Sequence, residues 1–306
     1  MTQHTKRRGL LRGAAVLCAA VAVAAGTGAA DASAAPSGHD RAHHASHGTD
    51  YVALGDSYAS GPGIPEQTDA ACARSDHNYP SVLAAATSWR LTDVSCTRAT
   101  TAALAGPQDS LPPQFDALDR GTDVVTLTIG GNDLGFSNNL ATCAQLAAGD
   151  PAGDPCHAFF TSGGTDQLAQ RVQDIAPRIT EALHGIRQRA PHARVYVVGY
   201  PDLFPEDGVG CTSAAVPIAA GDFGYLRDTE KRLNAMLAGQ ARAAGVRYVD
   251  TYTPTIGHDM CRPAGERWIE PLVPTPPAAP AHPNALGEHA MAAAVRDAAH
   301  CGAHRR

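Results

Sequence analysis

Ser57, Asn132 and His282 stand at the turns of three distant segments, and their types suffice for acyl transfer. A hydroxyl attacks, an imidazole carries the proton, and amide hydrogens hold the oxyanion. Ser57 ends the apolar run that starts at Tyr51, the pattern of a buried strand delivering one hydroxyl to the rim of a sheet. In open α/β sheets, ligands bind outside the carboxyl ends of the strands. Asn132 follows a second such run, Asp123 to Ile129, after a Gly130-Gly131 pair that permits close backbone approach. His282 opens His-Pro-Asn284 just before a helical pattern and is the candidate base.

Each residue also has a plainer reading. Serine and asparagine favour turns because they bond local backbone; only the three together favour a site. Ser60 competes with Ser57 but lacks the strand-end placement. His258 has Asp259 beside it, yet neighbours in an extended segment point to opposite sides, so His258 is assigned to loop structure. His77, His157 and His289 read as surface or helix residues. The Asp56 carboxylate is expected to accept backbone hydrogen bonds around the turn. Trp268 is left between lining a cleft and packing its own loop.

The elements that must position these residues alternate. Short buried strands are expected at 51–54, 91–95, 124–129, 194–198 and 246–249. Helices are expected at 77–88, 111–120, 164–190 with a break near Pro177, 222–244 stopped by Gly245, and 284–300 capped by Asn284. Asp133 or Asn138 is the expected cap of the segment after Asn132. This alternation argues for a parallel three-layer α/β/α domain. The proline-rich stretch 271–283 can be neither helix nor central strand and reads as a semi-rigid loop that sets His282. No Gly-x-Ser-x-Gly elbow surrounds Ser57, and no phosphate-loop or dinucleotide motif follows any strand.

Six segments in order resemble the SGNH (GDSL-type) hydrolases, within them the secreted actinobacterial lipase/esterase group. They are Gly55 to Gly61, Ser95 to Thr101, Thr128 to Asp133, Val197 to Pro201, Gly257 to Cys261 and His282 to Asn284. The resemblance implies a five-stranded parallel sheet in flavodoxin-like order, Ser57 as nucleophile and His282 as base. It also implies oxyanion donors at Ser57 N–H and the Asn132 amide. The family's third donor is a glycine N–H, and here that position is Arg98. Any non-proline residue offers an N–H, though arginine would be strained if the site demands positive φ; Gly106 is the alternative donor. Many relatives carry aspartate three residues before the histidine, where this chain has Ala279. A Ser57–His282 dyad is therefore expected, the imidazole tautomer being set by a main-chain carbonyl, that of Pro280 or Ala279.

Residues 1–34 read as an export signal: Lys6, Arg7, Arg8 and Arg12 precede an apolar stretch from Gly13 to Ala25, with Ala32-Ser-Ala34 before the cut. Arg7-Arg8 fits the twin-arginine route as well as the Sec route. Residues 35–49, rich in His, Ser, Ala and Gly, read as a disordered linker, and 50–303 as the hydrolase domain. Cleavage takes the formal charge from −6 to −9, which gives no electrostatic case for nucleic acid. No second apolar run approaches the roughly 20 residues of a membrane span. Seven cysteines follow the signal, and exported chains pair theirs; none stands in a Cys-x-x-Cys zinc pattern. Family order suggests Cys72–Cys96, Cys143–Cys156 and Cys211–Cys261, with Cys301 left over.

The expected protein is thus a secreted, monomeric serine hydrolase of carboxylic esters that needs no metal or organic cofactor. Two other classes share these residues. One is a binding module for esterified polymers, motivated by the Arg98 and Ala279 departures. The other is an acyltransferase using the same site.

Overall fold

The computed structural model describes residues 48–206, 210–273 and 277–303, with side chains described as far as His300. The expected signal, all but the end of the expected linker, and the side chain of Cys301 lie outside the described residues.

Strand β1 (Asp50–Gly55) is followed by the one-turn helix α1 (Ser57–Ser60), a hairpin of β2 (Gln67–Asp69) and β3 (Arg74–Ser75), α2 (Tyr79–Thr87) and β4 (Arg90–Asp93). Then come α3 (Ala102–Ala105), β5 (Val124–Thr128), α4 (Gly131–Leu134), α5 (Phe136–Ala147), α6 (Pro155–Thr161) and the long α7 (Gln167–Arg189). The chain closes with β6 (Arg194–Val198), α8 (Asp222–Ala243), β7 (Arg247–Val249) and α9 (Ala285–Ala303). The main sheet has the order β4-β1-β5-β6-β7, and all of its pairs are parallel. Among its five strands in chain order this is 2-1-3-4-5, the flavodoxin-like arrangement.

Alternate residues of each strand serve opposite layers. On one face Val52, Leu54, Val125, Leu127, Val195 and Val197 pack with α7 and α8. On the other, Tyr51, Ala53, Val124, Tyr196 and Val198 pack with α2 and α9. The two polar positions of β5 are satisfied internally. Thr126 bonds the Tyr51 hydroxyl at 2.7 Å and Thr128 the Tyr79 hydroxyl at 3.0 Å.

Three expectations about helices are corrected. Helix α7 runs unbroken through Pro177. That residue is exposed, so the carbonyl freed by its missing N–H can face water. Residues 111–120 hold only a 3₁₀ turn at Gln114–Ala117, because Gln114 turns inward to bond both N and O of Gly55, at 2.8 and 2.9 Å. Neither Asp133 nor Asn138 caps a helix: α4 and α5 start from Gly130 and Gly135. The Asp133 carboxylate instead accepts from the N–H and hydroxyl of Thr101, at 2.9 and 2.5 Å. Gly245 ends α8 with φ 65°. Asn284 caps α9 by accepting from Leu286 N at 3.0 Å and Gly287 N at 3.3 Å. The three disulfides of the described residues join Cys72 to Cys96, Cys143 to Cys156 and Cys211 to Cys261.

Candidate active site

The chain leaves β1 outward to β4 and returns to β5 on the other side of β1, which opens a crevice at the carboxyl ends of β1 and β5. Ser57 follows β1 and Asn132 follows β5, so both reach this crevice. Asp56 makes the turn. It bonds Thr128 O through its own N–H at 2.9 Å, and its carboxylate Oδ1 caps α1 by accepting from Tyr58 N at 2.9 Å. The N–H of Ser57 is left with no acceptor among the described residues.

His282 arrives from the far end of the chain. Its Nε2 lies 2.7 Å from Ser57 Oγ, and its Nδ1 lies 2.7 Å from the carbonyl oxygen of Pro280. Of the two carbonyls considered, that of Ala279 accepts from the main-chain N–H of His282, at 3.3 Å, and not from the ring. A ring on its side chain reaches back two residues more readily than three in this tight turn. His282 is half-buried. Burial lowers its pKa from the ordinary histidine value, and the Pro280 hydrogen bond opposes that shift.

The loop carrying His282 is tied down on several sides. Ala279 N donates to Pro62 O at 2.8 Å, Ala281 N to Glu270 O at 3.0 Å, and Glu270 N to His282 O at 2.9 Å. Gly63, with φ 82°, is where loop 61–64 backs onto it: an added Cβ would stand 2.9 Å from Ala279 N. Tyr58, the residue after the candidate nucleophile, donates its hydroxyl to Ala281 O at 2.5 Å. Its ring lies 4.9 Å from the imidazole. Ala281 is held at φ 56°, a left-handed conformation that costs about 1–2 kcal/mol for an L-residue.

Asn132 donates one amide hydrogen to Ala99 O at 2.9 Å, and an amide has two. Arg98 has φ 65°, so the position that is glycine in the family pattern keeps the left-handed backbone with a side chain in place. The N–H groups beside it are spent, Thr97 on Cys72 O and Ala99 on Cys96 O, each at about 3 Å. That of Arg98 has no acceptor among the described residues. The Gly106 N–H is occupied by Ala102 O at 3.0 Å.

Sequence reading missed the support beneath the turn. Gly131 N donates to the Tyr200 hydroxyl at 2.7 Å, which in turn donates to Asp56 Oδ2 at 2.6 Å. This chain ties β1, β5 and β6 together under the site. Burial pushes the Asp56 carboxyl up to about 7, against the hydrogen bonds from Tyr200 and Tyr58 that pull it down. Tyr200 belongs to the Val197 to Pro201 segment, whose aromatic residue was the available signal.

A cleft opens from Ser57 and Asn132 between α5, α7 and α8. Its inner wall includes Leu134, Phe136, Leu140, Leu168, Leu226 and Leu233. One polar exception is Glu230, buried, with Oε1 lacking a partner among the described residues. Burial first, and the Asp202 charge second, push its carboxyl well above the usual range. Trp268 does not line this cleft; it stacks on His258 at 3.6 Å. His258 Nδ1 in turn contacts Glu266 O at 2.7 Å, far from any role at Ser57. Among the described residues no group of His, Cys, Asp and Glu is arranged to hold a metal ion.

Such a fold and crevice define an SGNH-type hydrolase. The chain belongs to the GDSL-like lipase/acylhydrolase family, whose pattern it matches over residues 53–290. It is 43% identical over 254 residues to Lipase 2 of Streptomyces coelicolor, covering 81% of this chain and 85% of that one. It is 33% identical to a lipase of Streptomyces rimosus, covering 78% and 82%. Among solved structures it is similar to phospholipase A1 from Streptomyces albidoflavus, with TM-score 0.69 and 28% identity over 82% of this chain and 99% of that one. The extracellular lipase of Streptomyces rimosus gives the same TM-score at 29% identity, over 82% and 99%. The protein is an ester-cleaving enzyme, a carboxylic ester hydrolase. No helix of the described residues is long and apolar enough to cross a membrane.

Proposed function

We propose that ester cleavage runs through a Ser57–His282 dyad and an acyl-enzyme. Ser57 Oγ attacks the ester carbonyl carbon while its proton passes to His282 Nε2. The new oxyanion is held by the N–H of Ser57, the free amide hydrogen of Asn132 and the N–H of Arg98. The tetrahedral species collapses as Nε2 returns the proton to the departing alkoxide, which leaves as alcohol. His282 then takes a proton from water as its oxygen attacks the acyl carbon, and Nε2 returns that proton to Ser57 Oγ as the acid departs, which restores both residues.

The observation that carries this reading is the pair of 2.7 Å contacts on the two ring nitrogens of His282. A carbonyl only accepts, so the Pro280 contact requires the proton on Nδ1 and leaves Nε2 as the lone-pair base facing the hydroxyl. Pro280 O thereby does the orienting work that aspartate does in a triad. Substrates are esters with an apolar acyl chain seated in the cleft of leucines and Phe136. The disulfides and the basic, then apolar, opening of the sequence support export, and the enzyme acts outside the cell as a monomer.

An alkyl phosphonate ester should label Ser57 and no other serine, and Ser57→Ala should abolish both labelling and hydrolysis. Persistent turnover in Ser57→Ala would refute the mechanism. Product analysis with added glycerol separates hydrolysis from acyl transfer at the same site.

A further inference from the structure

The opposite edge of the sheet carries a feature that ester cleavage does not use. In a parallel sheet, Arg194 and Arg247, the first residues of β6 and β7, lie at the edge away from Ser57. They line a groove with Arg187 near the end of α7, His192, and Arg242 near the end of α8; no aspartate or glutamate lines it. Nine other arginines pair with a carboxylate within 4.0 Å. None of these four does, among the described residues.

Their contacts orient the guanidinium groups without neutralising them. Arg187 Nη2 donates to Gly245 O at 3.0 Å, while its Nε has no acceptor among the described residues. Arg247 donates to the Ala298 carbonyl and lies over the Tyr196 ring. Arg194 lies over Trp89, 5.7 Å from the ring centre. Arg242 is exposed and has no side-chain partner among the described residues. Guanidinium stays charged at any physiological pH, so four positive charges converge in a chain whose formal charge is −6. At physiological ionic strength the screening length is about 8 Å, so acidic residues farther away than that oppose them only weakly.

We propose that this groove is an anion-binding site for a flexible, linear polymer of phosphate groups. Guanidinium forks match phosphate oxygens in pairs. A groove admits a chain, whereas a bilayer needs a protruding apolar surface, and the exposed large hydrophobics Phe159, Ile256, Val273 and Leu286 all lie outside it. Nucleic-acid bases would need aromatic platforms, but Tyr196 is buried and Tyr248 reaches inward to Gly199. Because the groove is at the amino ends of the strands, a bound polymer leaves the cleft at the carboxyl ends open. The site would retain the enzyme on a polyanionic matrix while it works.

The test titrates the purified enzyme with long-chain inorganic polyphosphate across a salt series. Binding should weaken linearly on a log–log plot. Replacing Arg194 and Arg242 with Gln should lower the slope by about 1.4–1.8 and the affinity at low salt by about tenfold or more. Hydrolysis of a soluble nitrophenyl ester should be the same in both proteins, and Ser57→Ala should bind polyphosphate like wild type, so this site stands or falls apart from the ester mechanism. If the double variant misfolds, Arg242→Gln alone should lower the slope by about 0.7–0.9. Unchanged binding in the variants would overturn the proposal. So would phosphatidylglycerol vesicles or duplex DNA binding through these arginines when polyphosphate does not.

Discussion

Tyr58→Phe is the most informative single change, because it removes one oxygen and tests whether the histidine loop is held or merely present. Ala281 O is buried and accepts from Tyr58 Oη at 2.5 Å, with no second donor among the described residues. Leaving such a carbonyl unpaired costs about 1–3 kcal/mol. Ala281 also sits at φ 56°, so a loop freed of this tie gains by relaxing the residue next to His282. If the whole cost goes into displacing the imidazole, the productive fraction falls about 5- to 150-fold, at about 1.4 kcal/mol per factor of ten. The assay is steady-state hydrolysis of a soluble nitrophenyl ester by the full-length enzyme, with the phosphonate inactivation rate as an independent measure of the dyad. We expect kcat and the inactivation rate to fall together while KM holds, since phenylalanine keeps the ring that Tyr58 presents to the cleft. Adding Ala281→Gly, which tolerates positive φ freely, should recover part of the loss. A Tyr58→Phe enzyme that keeps wild-type kcat while melting earlier would refute the reasoning and leave Tyr58 as core packing only.

Three further outcomes are expected. Asn132→Ala should lower kcat about 100- to 1000-fold while circular dichroism stays that of the folded protein; a loss below tenfold would remove Asn132 from the oxyanion site. Asp56 is pushed up to about 7 in the fold, from 3.8, so the folded state holds a proton that the unfolded chain has released. Its contribution to stability therefore declines as pH rises from about 4 to about 7 and is flat above, by at most about 4 kcal/mol. The difference in urea-unfolding free energy between wild type and Asp56→Asn should follow that slope, and a pH-independent difference would refute it. Burial holds His282 below the ordinary histidine value, so the acid limb of kcat/KM should lie under pH 6.5. Ala279→Asp should move that limb upward by placing a carboxylate near the imidazole, with less than about tenfold gain in kcat if the Pro280 carbonyl, 2.7 Å from Nδ1, sets the tautomer as proposed. A much larger gain would mean that main-chain support is poor.

Much of the candidate site was legible because its parts are local patterns. An apolar run broken by Gly-Asp-Ser, another broken by Gly-Gly-Asn, and a histidine between a proline-rich loop and a capped helix each announce a rim position within about ten residues. The alternation of strands and helices followed from the same periodicities, and β6 matches its expected range at both ends. Helix ends and the fate of Pro177 were less legible, since they depend on what faces solvent.

By itself, then, the sequence determined which residue types are offered at which strand ends, the α/β class, and the absence of an aspartate before His282. Only the tertiary structure decided how they are held. Pro280 O rather than Ala279 O faces the imidazole, Tyr58 ties down Ala281, and Tyr200 links Asp56 to Gly131. It also decided that the Arg98 N–H has no acceptor among the described residues while that of Gly106 is spent, and that leucines from four helices line one cleft. Hydrophobic period and turn chemistry act over a few residues, so they are written locally. A hydrogen bond spanning 223 positions, like that from Tyr58 to Ala281, exists only because the sheet and its loops bring both ends to one place.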